Sequence, residues 1–186
     1  MRVADWIIGS LYNLGLRKVF GVTGGAVVHL FDAASKHDDI DITFFNHEQS
    51  ASFAVESYTK LTGEISLCVV TTGPGATNAI TGLSAAWLDS IPSLYISGQA
   101  RSNNIISGRT LRQVGTQEID IIPVVNSLTN FSSQVSNASQ IREKLLLALC
   151  HRLYGRPGPV WLDIPMDIQA AEVNPKKLKG FTKKSK

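Results

Sequence analysis

Asn46-His47-Glu48-Gln49-Ser50-Ala51, and the longer stretch Ile65-Ser66-Leu67-Cys68-Val69-Val70-Thr71-Thr72-Gly73-Pro74-Gly75-Ala76-Thr77-Asn78, decide how this chain folds. The first puts a carboxylate at the mouth of a helix. That helix runs over 49–61 on small residues with Phe53, Val55 and Tyr58, and Gly63 stops it. Residues 65–70 are an almost uninterrupted apolar run, the signature of a strand covered on both faces. Gly73-Pro74-Gly75 then turns the chain into a second helix, expected over 76–88 and rich in Ala and Gly. Two strand-to-helix junctions therefore lie side by side. In an open parallel sheet, ligands bind beyond the carboxyl ends of the strands, where helix N-termini point and glycines let backbone come close. Glu48 falls in that crevice.

Upstream, Val3, Ile7, Ile8, Leu11 and Leu14 recur at three and four, predicting an amphipathic helix over 3–14 ended by Gly15. Residues 18–22 read as a short buried strand and Gly24-Gly25 as a tight turn. Val27, Val28, Leu30 and Phe31 then carry a helix to about Ser35. Aliphatic and aromatic residues over 40–45 suit a strand. Downstream, 91–97 reads as a strand with Pro92 at its start, where a missing donor costs little.

Residues 98–116 break this rhythm. Gln99, Arg101, Ser102, Asn103, Asn104, Arg109 and Arg112 make a polar loop far longer than the usual connection, of the kind that commonly carries function. An apolar piece over 119–125, a strand near 131–135, a helix at about 139–153 and a last strand over 160–164, stopped by Pro165, complete the chain. The alternation predicts a three-layer, doubly wound α/β fold: a mostly parallel sheet of five or six strands with helices on both faces. Beyond Val173 the composition shifts to Lys, Pro and Ser. The expected domain is therefore 1–172, with a lysine-rich linker or tail over 173–186.

The 186 residues suffice for one domain with a core, and 44% hydrophobic with 18% charged residues is the balance of a soluble globular chain. Of the net charge of +3, much comes from Lys176, Lys177, Lys179, Lys183, Lys184 and Lys186 at the end. Discounting them leaves a slightly acidic body, which argues against nucleic-acid binding. Cys68 and Cys150 have no metal-ligand spacing around them and read as small core residues of a reducing compartment. No apolar run approaches the roughly 18 residues of a membrane span, and Asp5, Ser10, Tyr12 and Asn13 interrupt any signal-peptide pattern. A cytoplasmic chain is expected.

Position alone leaves two roles open for Glu48. A first-turn carboxylate complements the helix dipole, worth a fraction of a kcal/mol; the same carboxylate in a crevice can share a proton with a ligand. The 71–78 stretch is similarly a turn in which Thr77 or Asn78 bonds locally, or a ligand wall. It lacks the Lys of a phosphate-cradling loop and the glycine spacing of a dinucleotide fingerprint.

Several motifs in the right order settle on a family. Gly24-Gly25-Ala26-Val27, His47-Glu48-Gln49-Ser50-Ala51, Thr71 to Asn78 with Gly82-Leu83, and Asp89-Ser90-Ile91-Pro92 are followed by Gly98-Gln99 and Gln117-Glu118-Ile119-Asp120. Gly155-Arg156-Pro157-Gly158-Pro159-Val160 and Asp163-Ile164-Pro165 close the series. Together these resemble the N-terminal, pyrimidine-binding domain of thiamine diphosphate enzymes, nearest the acetolactate (acetohydroxyacid) synthases. The resemblance implies that Glu48 hydrogen-bonds N1′ of the cofactor's aminopyrimidine and so supports formation of the C2 ylide. The cofactor supplies that chemistry and the protein its orientation. A buried carboxylate with an apolar surround would have a raised pKa, suited to sharing a proton. By the same resemblance Thr71, Pro74 and Asn78 line the pyrimidine site, Gly24 and Gly25 approach cofactor and substrate, and Gln117 reaches into the active site. The chain departs from the family at Thr23, where Pro is usual, at Ser50, where Gly is usual, and in a longer loop over 99–117.

In this family the diphosphate and Mg²⁺ are held through a Gly-Asp-Gly motif on a separate domain, and no such motif occurs here. The resemblance thus implies thiamine diphosphate with Mg²⁺ bound jointly with the diphosphate domain of a partner chain, no metal site on this chain, and FAD as a further cofactor of some full enzymes. It implies a 2-oxo acid substrate such as pyruvate, a homodimer or higher homo-oligomer, and a place in branched-chain amino acid biosynthesis. The chain is expected to be an excised domain or a subunit of a split enzyme, inactive alone. A 2-oxo acid decarboxylase, a sugar-pathway carboligase subunit and a non-catalytic homologue are the alternatives.

Overall fold

The computed structural model describes residues 1–105 and 111–180; Arg109 of the polar loop and Lys183, Lys184 and Lys186 of the tail lie outside the described residues. In chain order the elements are α1 (Val3–Asn13), β1 (Lys18–Gly21), α2 (Val28–Ala34), β2 (Asp41–Phe44), α3 (Glu48–Thr62), β3 (Ser66–Val70), α4 (Pro74–Asn78), α5 (Ile80–Leu88), β4 (Leu94–Gln99), α6 (Ile121–Val125), β5 (Phe131–Gln134), α7 (Ile141–Leu153), β6 (Val160–Pro165) and α8 (Met166–Ala170). The strands form one sheet in the order β2-β1-β3-β4-β6-β5, and every pairing is parallel.

Alternation along each strand sorts the core into two layers, because successive side chains leave opposite faces of a sheet. Val19, Leu67, Val69, Leu94, Ile96, Val160, Leu162 and Ile164 meet α1, α2 and α7 on one side. Phe20, Cys68, Val70, Tyr95 and Trp161 meet α3, α5 and α6 on the other, with the Tyr95 and Trp161 rings stacked at 5.2 Å. Ser66–Val70 is buried at every position, as its near-continuous apolar sequence requires. The three-layer, doubly wound fold is thus as expected. No helix among the described residues is long and apolar enough to cross a membrane.

Several boundaries differ from the sequence expectation. The helix expected over 76–88 begins earlier, with Pro74 in its first turn, and is two helices that meet at Ala79. The Ala79 amide reaches only three residues back, to the Ala76 carbonyl at 3.2 Å, and Ser52 Oγ on α3 donates to the Ala79 carbonyl at 2.7 Å. The strand expected over 91–97 starts at Leu94 and extends to Gln99, so Pro92 lies outside it and Gly98 and Gln99, expected in the loop, belong to the sheet. The apolar piece at 119–125 is the short helix α6, and α8 after Pro165 has no counterpart in the sequence reading.

Cys150 is not a core residue. The buried stripe of α7 is Ile141, Leu145 and Ala148, and Cys150 lies off that stripe on the exposed side. Cys68 is buried, as expected. After α8 the chain returns to the start: Val173 N donates to the Met1 carbonyl at 2.9 Å, and Leu178 is buried in the first core layer.

Candidate functional site

The strand order makes the site. From β1 the chain steps outward to β2, then returns to β3 on the other flank of β1, so a topological switch point opens beyond the carboxyl ends of β1 and β3. Three segments enter it: Thr23-Gly24-Gly25 after β1, His47-Glu48 after β2, and Thr71 to Asn78 after β3. His47 caps α3 through its ring, Nδ1 accepting from the Gln49 amide at 3.1 Å, and this sets Glu48 as the first helical residue.

Glu48 meets the β3 turn directly. Asn78 Nδ2, thirty residues further on, donates to Glu48 Oε2 at 2.9 Å. Gly75 faces the other oxygen: a Cβ there would sit 3.1 Å from Glu48 Oε1 and 2.6 Å from Thr71 Cγ2. A Cβ on Gly24 would likewise fall 2.7 Å from Thr71 Oγ1. Glu48 is half-buried and Asn78 and Pro74 are exposed, so this pair opens outward. The enclosed, apolar setting expected for Glu48 is not built by this chain alone.

Gly25, Thr71 and Gln117 line a neighbouring cavity of about 320 Å³, together with Thr72, Gln99, Arg101 and Met166. Thr71 joins the cavity to the Glu48 patch. Gln117 has a left-handed backbone, φ +58°, unusual for a side-chain-bearing residue. Its carbonyl lies where a Cβ on Gly73 would be, and Gly73 itself has φ +62°. Of the sequence candidates, the structure therefore brings Glu48, Asn78, Thr71 and Gly24 together, puts Gly25 and Gln117 at the adjoining cavity, and leaves Pro74 exposed at the start of α4.

Beneath the cavity lies a polar network that the sequence reading did not single out as a site. Asp163 on β6, 1% exposed, accepts from Ser97 Oγ at 2.6 Å, Gln99 Nε2 at 3.1 Å and Gln134 Nε2 at 2.9 Å. Trp161 Nε1 donates to Ser97 Oγ at 2.8 Å. Gln99 is used at both ends: Oε1 accepts from Thr72 Oγ1 at 2.6 Å and from the Ala100 amide at 2.9 Å, and Nε2 also donates to the Ile119 carbonyl at 2.9 Å. The available signal was Asp163 itself, a carboxylate inside the buried run Val160–Pro165, where an unpartnered charge is prohibitive.

Burial pushes the Asp163 carboxyl up from 3.8 to about 6, against the lowering effect of its three hydrogen-bond donors, with the Asp120 carboxylate adding a smaller upward push. The folded chain holds this proton more tightly than the unfolded one. Its contribution to stability is then fully present below about pH 4 and lost as pH rises through about 6, up to about 3 kcal/mol for the group. Urea unfolding of the wild type and of Asp163→Asn between pH 4 and 7 measures this. The difference in stability between them should move in the Asn variant's favour as pH rises, and a constant difference would contradict the shift.

The sheet order, the crevice at the switch point and the Glu48–Asn78 pair define a doubly wound α/β domain with an open crevice at the carboxyl edge of its sheet. A model of the thiamine pyrophosphate enzyme N-terminal TPP-binding domain matches residues 1–124, and the chain belongs to that family. It is 38% identical over 165 residues to the acetolactate synthase large subunit of Buchnera aphidicola subsp. Schizaphis graminum, covering 89% of this chain and 28% of that protein. The Haemophilus influenzae acetolactate synthase large subunit is 39% identical over 172 residues, with 92% of this chain and 28% of the relative covered. The isozyme 3 large subunit of Escherichia coli is 37% identical over 165 residues, with 89% and 28% covered. The chain thus spans just over a quarter of the length of these relatives.

Proposed function

We propose that the Glu48 edge holds the aminopyrimidine half of thiamine diphosphate in an enzyme of the acetolactate synthase type, one that decarboxylates pyruvate or another 2-oxo acid and joins the two-carbon unit to a second carbonyl. The observation that carries this reading is the Glu48–Asn78 pair beside Gly75. The carboxylate has one oxygen, Oε2, occupied by an amide donor, while a Cβ at the residue facing Oε1 would crowd that oxygen. Such a donor set fits a flat heterocycle that needs one carboxylate at a ring nitrogen and close backbone approach.

When bound, thiamine diphosphate supplies the carbanion chemistry at its thiazolium carbon. Glu48 then holds or shares a proton at N1′, and Asn78 orients the carboxylate for it. Thr71 and Pro74 wall the ring, Gly24 and Gly25 let backbone approach, and Gln117 borders the substrate side of the cavity. The diphosphate with Mg²⁺ falls to a second domain, contributed by a partner chain in a homodimer or higher homo-oligomer, which would also close the open side of Glu48. FAD belongs to the same proposal as a further cofactor of the assembled enzyme, as do the cytoplasm as its location, 1–172 as the functional domain and 173–186 as the linker.

Removing the cofactor tests the reading. Assembled enzyme stripped of thiamine diphosphate and Mg²⁺ by chelation and dialysis should lose its turnover of pyruvate or another 2-oxo acid, and adding both back should restore it. Turnover that persists in the stripped enzyme would sink the proposal.

A further inference from the structure

We propose that Asp163, acting through Gln99, is the positioning residue that sets Gln117 over the Gly73-Pro74-Gly75 turn, an inference that rests on the cofactor-site reading above. Hydrogen-bond direction carries the argument. Ser97 Oγ already accepts from Trp161 Nε1, so its own proton goes to Asp163 Oδ1. Oδ2 receives the amide donors of Gln99 and Gln134. With Oδ2 as acceptor, the Gln99 amide has one orientation: Nε2 towards Asp163 and the Ile119 carbonyl, Oε1 towards Thr72 Oγ1 and the Ala100 amide. Turning the amide over would set oxygen against the Ile119 carbonyl and nitrogen against the Ala100 donor, losing both bonds.

Gln99 therefore ties together two parts of the site. Through Thr72 it grips the turn after β3 just before Gly73, and through Ile119 it grips the segment two residues after Gln117. Between these anchors Gln117 keeps its left-handed backbone, with its carbonyl against Gly73 and 3.5 Å from Thr72 Oγ1. Glu118 braces the same segment from the other side, accepting from the Val114 and Gly115 amides at 3.0 Å each. A strained backbone persists only where its surroundings over-determine it. The positioning resides in the acceptor at Oδ2. Asn can supply that acceptor, its amide nitrogen donating to Ser97 Oγ instead, whereas Leu cannot.

Nuclear magnetic resonance of the full chain and kinetics of the assembled enzyme test the proposal together. In the wild type the Gln99 side-chain amide protons should shift with a midpoint near pH 6, as burial of Asp163 and its neighbour Asp120 dictate. Asp163→Asn should abolish that titration, leave the Gln117 backbone amide resonance in place and keep kcat within about two-fold. Asp163→Leu should displace the Gln117 resonance and lower kcat ten-fold or more, with KM within about two-fold and the chain still folded. A Gln117 resonance unmoved in the Leu variant, or Asn and Leu variants that lose activity equally, overturns the proposal. Should the Leu variant not fold, Gln99→Met, which removes the tether to Thr72 and Ile119 but leaves Asp163 in place, should displace the Gln117 resonance instead, and a resonance unmoved there overturns the proposal as well. Displacement of Gln117 by Asp163→Leu in an enzyme whose turnover needs no thiamine diphosphate would place the failure in the cofactor reading and leave the clamp standing.

Discussion

Turnover in the assembled enzyme should fall by about 10²- to 10⁴-fold on Glu48→Gln, roughly 3 to 5 kcal/mol of barrier, with the fold intact. Gln matches Glu in size, and at a half-buried helix start its side chain can still meet Asn78 and a ring nitrogen. Packing and much of the cofactor affinity should therefore persist. What the amide cannot do is hold a shared proton at N1′. Exchange of the thiazolium C2 hydrogen for deuterium should slow in parallel with the steady-state rate, while the unfolding midpoint, followed as control, moves little. Wild-type exchange in the Gln variant would reduce Glu48 to a carboxylate that complements the start of α3, a role worth only tenths of a kcal/mol.

Gly73→Ala should be the most damaging single methyl in the site. The residue has φ +62°, which disfavours any side chain, and the added Cβ would run into the carbonyl of Gln117. Backbone strain of about 1 to 3 kcal/mol at φ +62° and ψ −120°, and overpacking of about 1 to 3 kcal/mol, give a loss of roughly 2 to 6 kcal/mol unless the Gln117 segment moves away. Either outcome is measurable: the urea midpoint falls, or it holds and the enzyme's kcat falls because the Gln117 segment has moved away. A variant with normal stability and normal kinetics would contradict the close packing of these two backbones.

Residue order carried most of the fold. The continuous apolar run at Ser66–Val70, the helix-period faces of α1 and α3, and Gly63 at φ +71° after α3 are local signals, and local signals place elements correctly when burial on both faces leaves no alternation to misread. Glu48 and the 71–78 turn were legible for the same reason, since each sits where a strand hands over to a helix. Their contact was not legible: Asn78 Nδ2 on Glu48 Oε2 depends on β3 pairing with β1, across from β2, and that order comes from long-range packing. Cys150 is not legible as exposed, because a cysteine suits either side of a helix until its neighbours choose the buried stripe. By sequence alone Gly98 reads as a break and puts Gln99 in a loop. In the sheet it is held by β6, whose Pro165 pairs with it, and by Asp163, sixty-four residues away. The sequence by itself determined the order and approximate place of the main strands and helices, because propensity and periodicity are properties of neighbours along the chain. Only the tertiary structure decided which carboxylate is buried under the cavity and which opens at its edge, because burial and hydrogen-bond partners are set by strands distant in sequence.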